Sequence, residues 1–196
     1  MSRISALFAL VFLTNISSSV ANAEDFRVNE VRFGGSWVNP SVFPGHQFEP
    51  DEAGINAEIL FTKFDFDYRD NPAEGIIHQL LTPRLHVGGL LNLTSSGVNS
   101  FYSGFTWKLI LTERFFLEPA FGGVIHDGRL NRPAAGARTR SEFGSRVLFR
   151  ESIALGVNIS ENMSLILQAA HMSHAALAGD DNAGQTDFNL KVGIKF

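Results

Sequence analysis

The chain has 196 residues, no cysteine and a formal net charge of −4. The absence of cysteine excludes a disulfide framework, a thiolate metal site and a cysteine nucleophile. The acidic balance argues against a nucleic-acid partner, because proteins that bind nucleic acids present basic surfaces.

The first 23 residues predict a secretory signal peptide. Met1-Ser-Arg is followed by an apolar run from Ala6 to Leu13, and small residues then lead to Ala21-Asn-Ala23. Cleavage after Ala23 leaves residues 24–196, enough for one domain. An N-terminal membrane anchor is the less favoured alternative, because the apolar run is well short of the ~20 residues that a spanning helix needs. No later segment is apolar enough to span as a helix.

Eight segments of the mature chain are each long enough to cross a bilayer as a tilted strand of ~9 to 11 residues. They are residues 27–38, 55–69, 79–93, 99–112, 114–127, 142–159, 162–173 and 187–196. Tight turns at 111–114 and 158–162 alternate with longer loops at 39–54, 127–141 and 174–186. The sequence therefore predicts an all-β fold, an eight-stranded antiparallel transmembrane β-barrel with its tight turns in the periplasm and these loops outside.

The last segment alternates strictly between polar and large apolar residues. Successive side chains leave opposite faces of a strand, so one set meets lipid and the other the lumen. The outward set is Phe188, Leu190, Val192, Ile194 and Phe196. The same parity predicts charged residues in the lumen, namely Arg84, His86, Lys108, Glu118, Arg146, Arg150 and Lys191. Opposed charges in a narrow barrel indicate a plugged interior and not a pore.

A chemical signal lies near the end of the seventh segment. His171 and Ser173 are two residues apart, so on a strand they share a face, and that face also carries Leu165 and Leu167 and therefore meets lipid. An imidazole beside a hydroxyl has an obvious use as base and nucleophile in acyl transfer. The alternative is a polar collar where the strand leaves the membrane.

Five short stretches of the chain carry a family resemblance, namely His171–Ala175, Asn182–Gly184, Gly88–Asn92, Phe121–Gly128 and Leu148–Ser152. Together they resemble the lipid A 3-O-deacylase family of outer-membrane barrels. The resemblance implies a carboxylic ester hydrolase that removes the 3-position acyl chain of lipid A, with His171 as base and Ser173 as nucleophile. It also implies the bacterial outer membrane as location and outer-leaflet lipopolysaccharide as partner.

The sequence departs from the family pattern at two places, the residue after the Ser and the expected triad acid. His174 replaces the Asn that follows the Ser, and Gln185-Thr186 stands where the acid is expected. Thr186 lies on the outward face of the last strand, where the acid would have to lie, but its side chain carries no charge. A substitute is Glu151, the charged residue on the outward face of the preceding strand. Folding the two strands together through the tight turn predicts Glu151 opposite Ala169 and diagonal to His171, within reach of its ring.

The oxyanion that forms in acyl transfer needs hydrogen-bond donors. The candidates are the backbone N–H groups near His174 and Ala175 and the side chain of Asn182. No cofactor is implied. A metal site at His171 and His174 is disfavoured, because a spacing of three puts them on opposite faces of a strand.

Two other classes stay open. The departures at positions 174 and 186 favour a non-catalytic structural barrel, or one that binds lipopolysaccharide without cleaving it. A soluble periplasmic lipid-binding β-barrel is the third possibility. A homodimer is also left open, since the sequence does not determine the oligomeric state.

Overall fold

The computed structural model describes residues 26–38, 52–63, 75–95, 97–130, 142–175, 177 and 184–196. Within these ranges the chain forms one helix, α1 (Gly75–Leu81), and a set of antiparallel strands. The strands are β1 (Val28–Val38), β2 (Glu52–Lys63), β3 (Arg84–Asn92), β4 (Ser100–Thr106), β5 (Leu109–Ile110), β6 (Phe115–His126), β7 (Val147–Asn158), β8 (Met163–Ser173) and β9 (Gln185–Lys195).

The strands close into a ring in which each pairs with its neighbours. Pairing of β1 with β9 joins the two ends of the chain, and pairing of β4 with β6 completes the circle. β4 and β5 are two parts of one crossing, since both pair with β6 in the same register. The predicted eight-stranded antiparallel barrel is therefore confirmed.

Pro119 on β6 explains the break between β4 and β5. The Trp107 N–H donates to the Pro119 carbonyl at 3.0 Å. Pro119 has no N–H, so it cannot donate the second hydrogen bond of this pair to the Trp107 carbonyl. The strand pairing is therefore interrupted at residues 107 and 108 and resumes in the same register.

The prediction that the third strand begins at Gln79 is wrong. Residues 75–81 form α1, and β3 begins only at Arg84. Ile76, Ile77, Leu80 and Leu81 recur with helical spacing, and they stay exposed. Strand β7 also begins later than predicted, at Val147, and residues 64–69 of the predicted second strand lie outside the described residues. No helix in the described ranges is long and apolar enough to cross a membrane.

The barrel interior is a buried network of charges. Arg32 is fully buried; its Nε donates to Glu30 at 2.7 Å and its Nη2 to Glu118 at 3.0 Å. Lys191 Nζ donates to Glu58 at 3.0 Å and to Gln168 at 2.9 Å. These opposed charges are buried and paired with one another. They fill the lumen, as the parity pattern predicted.

The predicted lumen set needs one correction. Arg84, His86, Glu118, Arg150 and Lys191 are buried as expected, and the half-buried Lys108 places its Nζ over the ring of Phe116, 3.7 Å from the centroid. Arg146 is exposed instead, because it precedes β7, and its guanidinium donates to the carbonyls of His126 and Gly128.

Candidate active site

His171 and Ser173 lie at the end of β8 that leads into the long loop before β9. Both are half-buried and share their face with the exposed Met163, Leu165 and Leu167, while the residues between them point inward. The lipid-facing parity expected from the sequence is therefore observed for both side chains.

The backbone hydrogen-bond pattern at a given residue of β8 differs between the side that faces β7 and the side that faces β9. The Ile159 N–H donates to Met163 across β7–β8, and the Lys195 N–H donates to Asn162 across β8–β9. Hydrogen-bonded and non-hydrogen-bonded pairs alternate along each pair of strands. His171 therefore forms a hydrogen-bonded pair with its neighbour on β7 and a non-hydrogen-bonded pair with its neighbour on β9. Side chains approach more closely at non-hydrogen-bonded positions, so the ring of His171 has its nearest neighbour on β9.

That neighbour is Thr186. It is the register partner of His171, and its Oγ1 lies 3.0 Å from His171 Nδ1. A threonine hydroxyl at this distance forms a hydrogen bond with the ring nitrogen but supplies no negative charge. A neutral hydroxyl thus occupies the position that faces Nδ1.

Gly184 lies against the Cε1 and Nε2 edge of the His171 ring. It stands one residue beyond the last β8–β9 pair, Met172 with Gln185, and so at the level of Ser173. Its φ is 66°, and a Cβ placed on it would lie 2.8 Å from His171 Cε1 and 3.1 Å from Nε2. A side chain is excluded both by the left-handed backbone and by the imidazole. The Nε2 edge of the ring is therefore directed along β9 toward the level of Ser173.

Ser173 pairs with Phe149 on β7. Its hydroxyl makes no hydrogen bond to any residue in the described ranges, His171 included. Catalytic hydrogen bonds are often long in an unliganded site and tighten when substrate binds, so this geometry is compatible with a nucleophile awaiting its substrate.

Glu151 lies directly opposite His171, and the predicted pairing with Ala169 is wrong by two residues. A pairing of Glu151 with Ala169 also implies Val157 opposite Met163, whereas Val157 pairs with Leu165 because the hairpin is tighter and pairing continues to Ile159. The Glu151 side chain is exposed on the outer face. It makes no hydrogen bond or ion pair with His171, whose Nδ1 is turned toward β9.

A turn follows Ser173 at the predicted oxyanion position. The Leu177 N–H donates to the His174 carbonyl at 2.9 Å, and Ala175 has a φ of 52°. A residue other than glycine in this conformation is uncommon. The Ala175 N–H has no hydrogen-bond acceptor among the described residues, while the His174 side chain is buried. Asn182, the third predicted donor, lies outside the described residues.

Asp187 is the acidic residue next to Thr186 in sequence, but its side chain points away from the site. It is buried in the lumen, where Arg150 Nη2 donates to it at 3.4 Å. The parity of β9 predicted this orientation. The role of Gly184 was missed by sequence reasoning, although its position in the Asn-x-Gly element was the signal that pointed to it.

Residues 76–195 match the family described as lipid A 3-O-deacylase (PagL). The chain belongs to the lipid A 3-O-deacylase family. The match covers more than half of the 196 residues and includes His171, Ser173, Gly184 and Thr186. The resemblance drawn from the short sequence stretches is thus confirmed, and with it an outer-membrane location.

A solved structure supports the β-barrel fold. The crystal structure of the outer membrane enzyme PagL aligns with a TM-score of 0.59 and 15% identity, over 85% of this chain and 99% of that chain. A de novo designed transmembrane β-barrel gives a TM-score of 0.49 with 7% identity, over 86% of this chain and 95% of the design. The outer membrane protein Ail of Yersinia pestis gives 0.44 with 11% identity, over 86% of this chain and 99% of Ail. No curated protein sequence matches the chain at a significant level.

Proposed function

We infer that this protein is a serine esterase of the outer membrane that removes the ester-linked acyl chain at the 3 position of lipid A. The carrying observation is the arrangement of His171, whose Nδ1 contacts Thr186 while its Nε2 edge is directed toward the level of Ser173. Membership of the lipid A 3-O-deacylase family supports the substrate.

The tautomer of His171 links the Thr186 contact to catalysis. When Nδ1–H donates to Thr186 Oγ1, Nε2 carries the lone pair and is able to act as the base. His171 then accepts the Ser173 proton while Ser173 Oγ attacks the ester carbonyl. Collapse of the tetrahedral intermediate breaks the bond to the sugar oxygen, which takes the proton from His171 and leaves as the 3-hydroxyl. Water, activated by His171 in the same way, hydrolyses the acyl-enzyme.

The developing oxyanion needs a donor close to Ser173. The N–H of Ala175, which has no acceptor among the residues that the structure describes, is the favoured donor, and it lies two residues along the chain. The N–H of His174 and the side chain of Asn182 are the further members of the set. The left-handed backbone at Ala175 supports this assignment, since strained residues concentrate at active sites.

Glu151 supplies the negative charge that Thr186 lacks. Residues directly opposite on neighbouring strands have Cβ atoms roughly 4.5–5.5 Å apart, which is close enough for a carboxylate to stabilise an imidazolium. Thr186 therefore orients the ring, and Glu151 stabilises the charge that His171 acquires during the reaction. The long carboxylate side chain is exposed and free to turn toward the ring.

The competing function is a barrel that binds lipopolysaccharide without cleaving it. It is favoured by the absence of a carboxylate contact to the His171 ring and of a Ser173–His171 hydrogen bond within the described residues. A binding protein would retain affinity for lipid A but would have no need of the Ser173 hydroxyl.

Mass spectrometry of lipid A separates the two functions. Refolded protein is incubated with lipid A in detergent, beside the variants Ser173→Ala and Ser103→Ala. Ser103 is the matched control, because it is an outward-facing serine on β4 whose hydroxyl is bonded to the His86 carbonyl. Loss of one hydroxyacyl chain with wild type and Ser103→Ala, but not with Ser173→Ala, is the expected result. Intact lipid A in all three samples would favour the binding protein.

Two further expectations stay predictions. The signal peptide covers residues 1–23, which lie outside the described residues, and N-terminal sequencing of the exported protein checks for a start at Glu24. The homodimer is checked by sedimentation of the refolded barrel in density-matched detergent.

A further inference from the structure

An ion pair in the lumen lies directly behind His171. Arg150 precedes Glu151 on β7, and Asp187 follows Thr186 on β9, so both charged side chains point inward where their neighbours flank the ring. Arg150 Nη2 lies 3.4 Å from Asp187 Oδ2, and both side chains are buried. The pair therefore connects β7 with β9 on the lumen side of β8, the strand that carries His171.

Both charged groups are held by further contacts in the lumen. The Arg150 guanidinium lies over the ring of Tyr102, with its Cζ 4.0 Å from the centroid, where the ring face attracts a cation. Tyr102 is buried, and its hydroxyl donates to Asn56 at 2.9 Å. Asp187 also accepts a hydrogen bond from Asn189 Nδ2. Each partner of the ion pair therefore has a second contact that defines its position.

A second inner connection joins the same strands through β8. Asn189 Nδ2 donates to Gln168 Oε1 at 3.3 Å, and Gln168 Nε2 donates to Ser152 Oγ at 3.2 Å. Gln168 belongs to β8, whereas Ser152 is the residue that follows Glu151 on β7. The two sequence neighbours of Glu151 are thus both connected to β9 from the lumen.

The ion pair lies where the described pairing of β9 with β1 ends. The last β1–β9 pair in the described ranges is Val38 with Asp187. Thr186 is the next residue of β9 toward the site, and it faces His171 at a non-hydrogen-bonded position. No backbone bond joins these two residues directly, so the contact between their side chains depends on how the strands are held nearby. The Asp187 side chain supplies such a restraint one residue away.

We propose that Arg150 and Asp187 are positioning residues, which hold Glu151 and Thr186 in place on either side of His171. The proposal rests on the esterase function inferred above and deepens it. Both side chains point into the lumen, so neither contacts the lipid substrate or the reacting atoms. Loss of the pair lets β7 and β9 shift relative to β8, and a misplacement of about 1 Å costs up to about 100-fold in rate.

Steady-state hydrolysis of lipid A by the refolded protein tests the pair. Arg150→Met removes the charge and keeps an unbranched side chain. Arg84→Met is the matched control, because Arg84 is also a buried lumen arginine whose Nη1 donates to a carboxylate, that of Glu30, at 3.0 Å. Glu30 pairs with Lys195, at the end of β9 far from the site. Both variants therefore lose a buried ion pair, but only one loses it behind the candidate base.

The proposal predicts a change in kcat and not in KM. In Arg150→Met, kcat should fall about ten-fold or more, whereas Arg84→Met should match wild type. Arg150→Lys keeps the charge and should restore most of the rate. Asp187→Asn should also lower kcat, and the double variant Arg150→Met with Asp187→Asn should be no worse than Arg150→Met, since the two residues act as one pair. An unchanged kcat in Arg150→Met, or an equal fall in Arg84→Met, would overturn the positioning role.

A second readout does not depend on turnover. The NOE between the His171 ring and the Thr186 methyl group is measured in methyl-labelled protein in deuterated detergent. We expect this NOE in wild type and Arg84→Met, and a weaker one in Arg150→Met. That result without hydrolysis by wild type would uphold the positioning and refute the esterase. Hydrolysis by wild type with an NOE that is unchanged in Arg150→Met would refute the positioning alone.

Discussion

His171 Nδ1 lies 3.0 Å from Thr186 Oγ1, across a non-hydrogen-bonded pair of β8 and β9. This contact gives the imidazole one defined neighbour on the lipid-facing wall, and that neighbour is uncharged. In a serine esterase the group that faces Nδ1 fixes the tautomer and stabilises the imidazolium. The Thr186 hydroxyl is suited to fixing the tautomer of His171 but not to stabilising the imidazolium. Removal of the hydroxyl and introduction of a charge at this position should therefore change the activity in different ways.

Removal of the Thr186 hydroxyl should lower activity. Thr186→Val keeps the branched shape but loses the bond to Nδ1. A neutral hydrogen bond contributes about 0.5–1.5 kcal/mol, which corresponds to a fall in kcat of up to about ten-fold. Release of hydroxyacyl chains from lipid A measures the effect. Thr186→Ser should restore most of the rate, and failure of the serine variant in a well-folded barrel would argue against the orienting role.

A carboxylate in place of Thr186 should raise activity. Thr186→Glu puts an acceptor with a negative charge opposite Nδ1, and charge-assisted bonds contribute about 1.5–3 kcal/mol. The gain over threonine corresponds to roughly ten-fold in kcat. Thr186→Gln is the neutral control of the same size. If both variants have equal activity, charge at this position does not limit the reaction.

Neutralisation of Glu151 should slow hydrolysis. Its carboxylate is directly opposite His171, and loss of about 1 kcal/mol of electrostatic stabilisation corresponds to about five-fold in kcat. Glu151→Gln is compared with Glu161→Gln, an exposed position in the hairpin turn at the other end of β8. Undiminished hydrolysis in Glu151→Gln would refute its role. In the Thr186→Glu background the same change should matter less, because the new carboxylate already faces the ring.

An added methyl group at Gly184 should impair catalysis more than folding. Gly184→Ala introduces backbone strain at a φ of 66° and also pushes on Cε1 and Nε2 of His171. Gly75→Ala is a close control, since Gly75 has a φ of 65° and no atom within 4 Å of its missing Cβ. Both variants should lose similar stability in urea unfolding, of roughly 1–2 kcal/mol. Only Gly184→Ala should lose activity, by about 100-fold if the ring moves by 1 Å. Equal activity of the two variants would contradict the contact.

Disruption of the lumen network should destabilise the barrel. Arg32→Met leaves the carboxylates of Glu30 and Glu118 buried without their main partner. Breaking one partner of a buried ion pair costs about 3–5 kcal/mol. Urea unfolding followed by tryptophan fluorescence measures the loss. Arg114→Met, in an exposed turn, should leave stability unchanged, and an equal effect of the two variants would contradict the network's role.

The sequence by itself determined the barrel and the faces of its strands. Alternation with period two is a local property of the backbone, so Phe188, Leu190 and Asp187 could be assigned to lipid or lumen from the pattern alone. The same rule placed His171 and Ser173 together on the outer face. The helix α1 was missed because its short apolar run is also compatible with a strand.

The tertiary structure decided which residues contact the candidate base. The pairing register depends on where a hairpin turn closes. The observed register differs from the predicted one by two residues, so Glu151 pairs with His171 and not with Ala169. The alternation of wide and narrow pairs then directed the ring toward Thr186 on β9 and brought it against Gly184. These contacts join residues on separate strands, and no local pattern in either strand encodes the spacing between them.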